Sequence, residues 1–344
     1  MDALPQSADR PSEQMEKLLA GHFLARCLHA AAVLAIPDLI AKGCSTIEEL
    51  ASATGSHGPS LHRLLRTLAS IGLFTEGANG RLVLTPLGDT LRSDSPDSVR
   101  DKALFECSMP IWSAWGHVLD SLRTGRPAFD RAHNATIWAY LADNAQAGAD
   151  FNRFMTAQSR LHNAAIIEAY DFSEIGTLVD VGGGHGATLA AALAQSPNTR
   201  GVLFDLPEVV APASALETSR FADQCHVVGG DMLQSVPPGG DAYLFKRVMM
   251  DLTDDETITV LRNCCSVMKP EGKVLVIDPM LPDGIEPHAN RLVDMLMLVT
   301  TGGQCRTQAQ FRHLFDASGF RLERVIATRS ANFILEGVPD FAAA

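Results

Sequence analysis

Val179-Asp180-Val181-Gly182-Gly183-Gly184-His185-Gly186 is an apolar run that breaks into glycines. Leu178 to Val181 predict a strand, and Ala187 to Ala194, directly after the turn, predict a helix. Glycines let a backbone turn sharply at positive φ and bring bare N–H groups against a ligand. About twenty residues on, Gly201-Val202-Leu203-Phe204 forms a second apolar run that ends in Asp205, where a carboxylate can take the two hydroxyls of a ribose. This half of the chain is therefore read as binding an adenosine-type cofactor.

The glycines alone do not choose the cofactor, since Gly182, Gly184 and Ala187 also satisfy a relaxed dinucleotide fingerprint. Two further signals narrow the choice. Gly229-Gly230-Asp231-Met232 follows a third short strand, His226 to Val228. It offers a carboxylate for the adenine amino group and a thioether that can lie on the ring. Asp241-Ala242-Tyr243-Leu244-Phe245-Lys246-Arg247-Val248 reads as a fourth strand whose end brings two cations beside the same site.

The chain of 344 residues is long enough for two domains and a substantial core. With 46% hydrophobic and 20% charged residues it has a globular composition. A net charge of −12 argues against nucleic acid or an anionic membrane as the main partner. The seven cysteines include no C-x-x-C pair, so neither a disulfide framework nor a structural zinc site is suggested. No signal-like or membrane-length apolar run is present, and a cytoplasmic protein is expected.

In the first half, Met15 to Leu39 has helical spacing of Leu18, Leu19, Phe23, Cys27, Leu28, Ala31, Leu34 and Ala35. A capping Ser45 or Thr46 opens the next helix, Gly55 closes it, and Ser60 to Leu68 forms another. Two short strands then flank Asn79-Gly80, a hairpin turn signal. The layout is that of a winged helix. A DNA-binding reading would use Arg63, Arg66 and Arg81, but acids are at least as numerous across the segment. From Ser98 to Tyr170 the chain reads as helical with a break near Gly125-Arg126-Pro127, and it carries Trp112, Trp115 and Trp138. Most aromatic residues on such helices are simply core.

The order of these motifs resembles the S-adenosylmethionine-dependent O-methyltransferases of small aromatic acceptors, the plant caffeate type and its bacterial polyketide and phenazine relatives. The matching residues run from Phe151-Asn152-Arg153-Phe154-Met155 and Ser159, through the glycine stretch, Asp205, Asp231-Met232 and Lys246, to Gly272-Lys273 and Ala317-Ser318-Gly319-Phe320. The resemblance implies a winged-helix-like dimerisation domain over 1–100 and connecting helices over 101–170 that contribute to the acceptor pocket. It implies an α/β, doubly wound Rossmann-like methyltransferase sheet over 171–344, with the strands at Leu322 to Thr328 and Asn332 to Glu336 paired as a closing hairpin. The implied cofactor is S-adenosyl-L-methionine. Gly182 and Gly184 would approach its methionine part, Asp205 the ribose, Asp231 and Met232 the adenine, Lys246 a backbone carbonyl or the cofactor carboxylate, and Ser159 would lie near that carboxylate. Met109, Phe151, Met155 and His162 are the implied acceptor-pocket residues. The implied partners are a small aromatic metabolite and a second copy of the chain, without nucleic acid, membrane or metal.

The pattern breaks at one place. In the resembled family a His-Asp pair follows the fourth strand, and the His serves as general base. Here the pair is Met250-Asp251, and a thioether cannot take a proton near neutral pH. The family's Glu that orients the His is replaced in Gln304-Cys305-Arg306-Thr307 by Cys305. The leading expectation is methyl transfer to an oxygen or ring nitrogen of the acceptor, by proximity and orientation. Two alternatives stay open: a displaced base (Asp251, His162 or Cys305), or the same fold turned to a non-methylating step such as cyclisation or oxygenation. Asp251 is expected to position the acceptor or, equally, to serve only as an acid at a helix N-terminus. Asp278, at the end of the Val274 to Ile277 strand, is a further candidate.

Overall fold

The computed structural model describes residues 10–77, 80–211 and 220–340. The described residues divide into two compact units, one up to Trp112 and one from Ser113 onward. The helical stretch expected over 101–170 is thus shared between them.

The first unit begins with α1 (Pro11–Val33), α2 (Ile36–Ala41), α3 (Ile47–Thr54) and α4 (Gly58–Ser70). The hairpin β1 (Phe74–Glu76) and β2 (Leu82–Leu84), then α5 (Pro86–Asp89) and α6 (Arg100–Glu106), complete it, and α7 (Met109–Gly116) runs across the division. The single helix expected from Met15 to Leu39 is two helices, broken at Ala35 with φ 51. Pro37 is the reason: in a continuous helix it would lack the N–H owed to Val33 and its ring would press on that carbonyl. The start of α3 follows the sequence closely. Thr46 accepts the Glu49 N–H at 3.2 Å while the Glu49 carboxylate takes the Thr46 N–H at 3.0 Å. Gly55 ends the helix at φ 64. Of the hairpin turn, Gly80 has φ 72, and Asn79 lies outside the described residues. Leu50, Leu61, Leu65, Leu68 and Phe74 form the small core.

The second unit opens with α8 (Val118–Thr124), α9 (Ala128–His133), α10 (Ile137–Asp143) and the long α11 (Ala145–Ala169). Breaks at Cys107–Ser108 and near Gly116, Gly125, Asn134 and Asn144 divide the segment from Ser98 to Tyr170, for which one break was expected. The sheet follows, with β3 (Thr177–Val181), α12 (Ala187–Gln195), β4 (Arg200–Asp205), α13 (Pro207–Val210), β5 (Cys225–Gly229) and β6 (Ala242–Lys246). Then come a 3-10 turn at Met249–Asp251, α14 (Asp254–Val267), β7 (Lys273–Leu281), α15 (Asn290–Thr300), β8 (Arg306–Thr307), α16 (Gln308–Ala317), β9 (Phe320–Ala327) and β10 (Asn332–Pro339).

The strands lie in the order β5-β4-β3-β6-β7-β10-β9, with β8 beside β7. The pairs from β5 to β7 are parallel, and β10 runs antiparallel to both β7 and β9. The strand pair expected to close the chain is this β9–β10 hairpin. Every residue of β6 is buried, as a strand covered on both faces requires. Leu178, Leu244, Leu275 and Ile277 are fully buried in the core beneath one face, each stabilising by about 1.5–3 kcal/mol. Strand order reverses between β3 and β6, and an open sheet of this kind leaves a crevice at the carboxyl ends of those strands.

Candidate active site

The crevice is a cavity of about 750 Å3. The turn after β3 forms one wall. Gly182 and Gly184 adopt φ 67 and 59, which L side chains rarely accept. A Cβ at Gly183 would stand 2.5 Å from Leu203 Cδ1 and 2.7 Å from the Asp180 carboxylate, so only glycine lets the turn close over the strand ends. The Gly184 N–H donates to Asp205 Oδ2 at 2.8 Å, and the Leu206 N–H to Oδ1 at 2.7 Å. Two backbone N–H groups thereby aim the Asp205 carboxylate into the cavity, while burial raises its pKa.

A buried polar group lies beneath the same wall. Lys246, 7% exposed, donates from Nζ to Ser159 Oγ at 2.7 Å, linking β6 to α11. Burial and the neighbouring Arg247 bring the Lys246 ammonium down to about 7, and Asp180 and Asp278 oppose that fall. Asp180, on β3, is 1% exposed, and neither carboxylate oxygen has a hydrogen-bond partner. Burial pushes it up to about 7, with Lys246 opposing. A buried carboxylate without donors costs several kcal/mol unless a ligand supplies them (of order 1–3 kcal/mol for each unmade bond, more when charged). These orphaned oxygens therefore fit the ammonium of an amino-acid moiety. Asp231 and Met232 line the far side, where the Asp231 side chain also accepts the Leu233 N–H at 2.9 Å and closes its own turn.

The other end of the cavity is apolar and aromatic. Phe151 and Met155 from α11 stand there with Ile137, Trp138 and Leu141 from α10. Trp138 meets Phe151 edge to face, 5.7 Å between centroids and 76° between planes. Asp130, Arg247, Asp251, Thr300 and Thr301 supply polar groups to the lining.

The 3-10 turn after β6 sends three successive side chains in three directions, as a repeat of three residues per turn requires. Met249 enters the main core. Met250, 2% exposed, packs with Met297 and Cys305, together with Leu281, Val293 and Leu296. Asp251 lines the cavity. Burial pushes Asp251 up to about 7 against the pull of Arg247 and the Thr301 hydroxyl. Arg247 enters the turn at φ 57, and its Nε is buried without a hydrogen-bond partner. Asp278 lies wholly buried on β7, its oxygens unpartnered and its pKa raised to about 7 by burial. Burial pushes the Cys305 thiol up to about 12.

Of the residues singled out in the sequence, Ser159, Gly182, Gly184, Asp205, Asp231, Met232, Lys246, Asp251, Phe151 and Met155 come together around this cavity. Met250 does not: it faces the apolar cluster. His162 sits on α11 away from the lining, and Met109 lies exposed in the first unit, its sulfur 3.6 Å from Arg26 Nη2. The sequence gave no role to Asp180, Thr301 or Asp130, and offered Arg247 only as one of two cations beside the site. Asp180 stands out as an acid inside an otherwise apolar strand. Thr301 and Asp130 are gathered only by tertiary packing. Among the described residues no group of three or more His, Cys, Asp or Glu is placed to hold a metal ion, and no helix is long and apolar enough to cross a membrane.

A mostly parallel sheet with a glycine turn, a backbone-held carboxylate at the next strand end and an adjoining aromatic chamber defines the class of nucleoside-cofactor-binding α/β transferases. Residues 115–321 match the O-methyltransferase domain, and residues 16–94 the O-methyltransferase dimerisation domain. The chain belongs to the S-adenosylmethionine-dependent O-methyltransferase family. It is 40% identical to the phenazine O-methyltransferase PhzM of Lysobacter antibioticus, over 94% of this chain and 95% of that protein. It is 38% identical to the mitomycin biosynthesis 6-O-methyltransferase of Streptomyces lavendulae, over 91% and 90%. The crystal structure of LaPhzM superposes with a TM-score of 0.92 at 39% identity, covering 96% of this chain and all of that one. The protein is thus a methyltransferase that uses S-adenosylmethionine.

Proposed function

We propose that the enzyme methylates an oxygen of a small aromatic or polycyclic specialised metabolite bound at the Phe151–Met155–Trp138 end of the cavity. The observation that carries this reading is the continuity of one cavity from the Gly182–Asp205–Asp231 wall to the aromatic chamber. The O-methylating relatives support an oxygen nucleophile.

In this reading Asp231 and Met232 receive the adenine, and Asp205 the ribose. Gly182 and Gly184 bring backbone against the methionine part, whose charged ends meet Asp180, Ser159 and Lys246. When bound, the cofactor supplies a methyl group already activated on a sulfonium. The first tasks left to the chain are to exclude water and align the acceptor. Such alignment supplies about 7–11 kcal/mol, against which the absence of a histidine base at position 250 costs at most about 10²–10⁴-fold in rate. Met250, turned into an apolar cluster, takes no part in proton transfer.

The dimerisation domain supports a homodimer. On α1, Met15, Leu18, Leu19 and Phe23 are 54–75% exposed, an apolar stripe at helical spacing that a second copy would cover. The seven cysteines are all free, which supports a reducing compartment such as the cytoplasm.

The test is calorimetric titration with S-adenosylmethionine and S-adenosylhomocysteine, then a screen of hydroxylated aromatics. The expected result is binding of both, and S-adenosylhomocysteine release matched by a product one methyl heavier. Cofactor binding with an acceptor consumed and no methylated product would contradict the proposal.

A further inference from the structure

We propose that Asp251 receives the proton of the acceptor hydroxyl, a task the residue before it cannot perform. The inference rests on the aromatic-hydroxyl reading above and adds the group that completes it.

Three observations carry it. First, the 3-10 turn aims Asp251, and neither of its two neighbours, into the cavity. Second, two other ionisable groups that the sequence offered in place of a histidine, Cys305 and His162, are out of place. Cys305 is enclosed with Met250 and Met297, its thiol held protonated, and His162 lies off the lining. Third, the surroundings of Asp251 suit a carboxylate that exchanges a proton near neutrality. Arg247 at the end of β6 favours its charged form, the Thr301 hydroxyl supports that form, and burial opposes it. The balance places Asp251 at about 7, close to where a general base is most effective.

Other charged groups press on this site from the neighbouring elements. Asp278 from β7 carries a buried, unpartnered carboxyl. Asp130 from α9 and Glu256 from α14 line the same cavity. Arg306 from β8 is engaged with Asp254 and backbone carbonyls. With the Asp278 carboxyl interacting with Asp251 as a like charge, a second negative charge beside Asp251 is unfavourable. A neutral hydroxyl that delivers its proton as it reacts fits better than a preformed anion. In the step, the acceptor O–H bond breaks, its proton passes to an oxygen of the Asp251 carboxylate, and the electron pair stays on the acceptor oxygen as the nucleophile. The carboxylic acid then returns the proton to solvent when product leaves.

The experiment uses the full-length protein saturated with S-adenosylhomocysteine, and a hydroxyphenazine or hydroxynaphthoate probe whose phenolate absorbs apart from its phenol. In the wild type, the probe's pKa is raised by the neighbouring carboxylate. In Asp251→Asn it falls back, because the like charge is gone. With S-adenosylmethionine, Asp251→Asn lowers kcat at neutral pH by about 10²–10⁴-fold, and the loss shrinks as pH passes the probe's own pKa. Asp251→Glu recovers part of the rate. An unchanged probe titration, or a loss of kcat that is the same at every pH, would assign Asp251 to positioning alone and overturn the inference. Failure of both probes to bind the wild-type complex would overturn the aromatic-acceptor reading itself, and this inference with it.

Discussion

Arg306, with no exposed surface, donates from Nη2 to the Leu252 carbonyl at 2.8 Å. The same guanidinium donates from Nη1 to the Met249 carbonyl at 2.5 Å and from Nε to Asp254 at 2.9 Å. One side chain therefore holds both ends of the turn that presents Asp251. The sequence shows an Arg before a Thr, with nothing to say that it reaches back more than fifty positions to fix a backbone loop.

Replacing Arg306 by Leu strands two buried carbonyls, at about 1–3 kcal/mol each. The expected result is a lower melting temperature and a kcat that falls further than cofactor affinity does. Arg306→Lys, which cannot reach both carbonyls with one planar fork, lies between. Denaturation and calorimetry on the variants check this, and an unchanged kcat in a folded Arg306→Leu protein would contradict it.

Gly303 braces the turn from the other side. A Cβ there would stand 2.1 Å from the Met250 carbonyl oxygen and 2.8 Å from the Asp251 backbone. Gly303→Ala must push the turn away, so kcat falls while S-adenosylhomocysteine binding, made on the opposite wall, stays close to wild type. Parallel kinetics and calorimetry distinguish the two effects.

Restoring the family's pair, Met250→His with Cys305→Glu, places two ionisable groups in a pocket built from Met297, Leu281, Val293 and Leu296. Even as a mutually hydrogen-bonded pair, they are costly to bury in so apolar a surround. The expected outcome is a melting temperature several degrees lower and a reaction on the native acceptor that is unimproved or impaired. A large gain in rate would mean that residue 250 faces the acceptor after all.

Asp278 governs a pH dependence of stability. Its folded pKa, at about 7, stands well above an ordinary carboxylate. The native state therefore binds a proton that the unfolded chain has released, and stability is lost as pH rises from about 4 toward 7. Asp278→Asn stays neutral at every pH. Its melting temperature is expected to gain on the wild type between pH 5 and pH 8, by several degrees at the upper end. Equal pH profiles for the two proteins would contradict the buried-acid account.

Much of this was legible in the chain. The glycine turn, Asp205, the Asp231-Met232 pair and Lys246 are local signals, because a strand end and the residue after it determine where each side chain falls. A cap at Ser45 or Thr46 was legible for the same reason, and the structure assigns it to Thr46, with Glu49 closing the box. What was not legible depends on packing between distant segments. Met250 and Asp251 are adjacent in sequence, and only the pitch of the 3-10 turn decides which one meets the cavity. Met109 shared the look of Met155, a Met beside aromatic residues on a helix, yet it falls in the other unit. The break at Ala35 was readable from Pro37 but hidden by the unbroken apolar spacing around it.

The most direct measurement is a crystal structure of the enzyme with S-adenosylhomocysteine and a hydroxylated aromatic acceptor. The account predicts the acceptor ring between Phe151 and Met155, with its hydroxyl about 2.6–3.2 Å from the Asp251 carboxylate, and Met250 still enclosed with Cys305. An acceptor whose hydroxyl points to residue 250, or lies out of reach of Asp251, would contradict it.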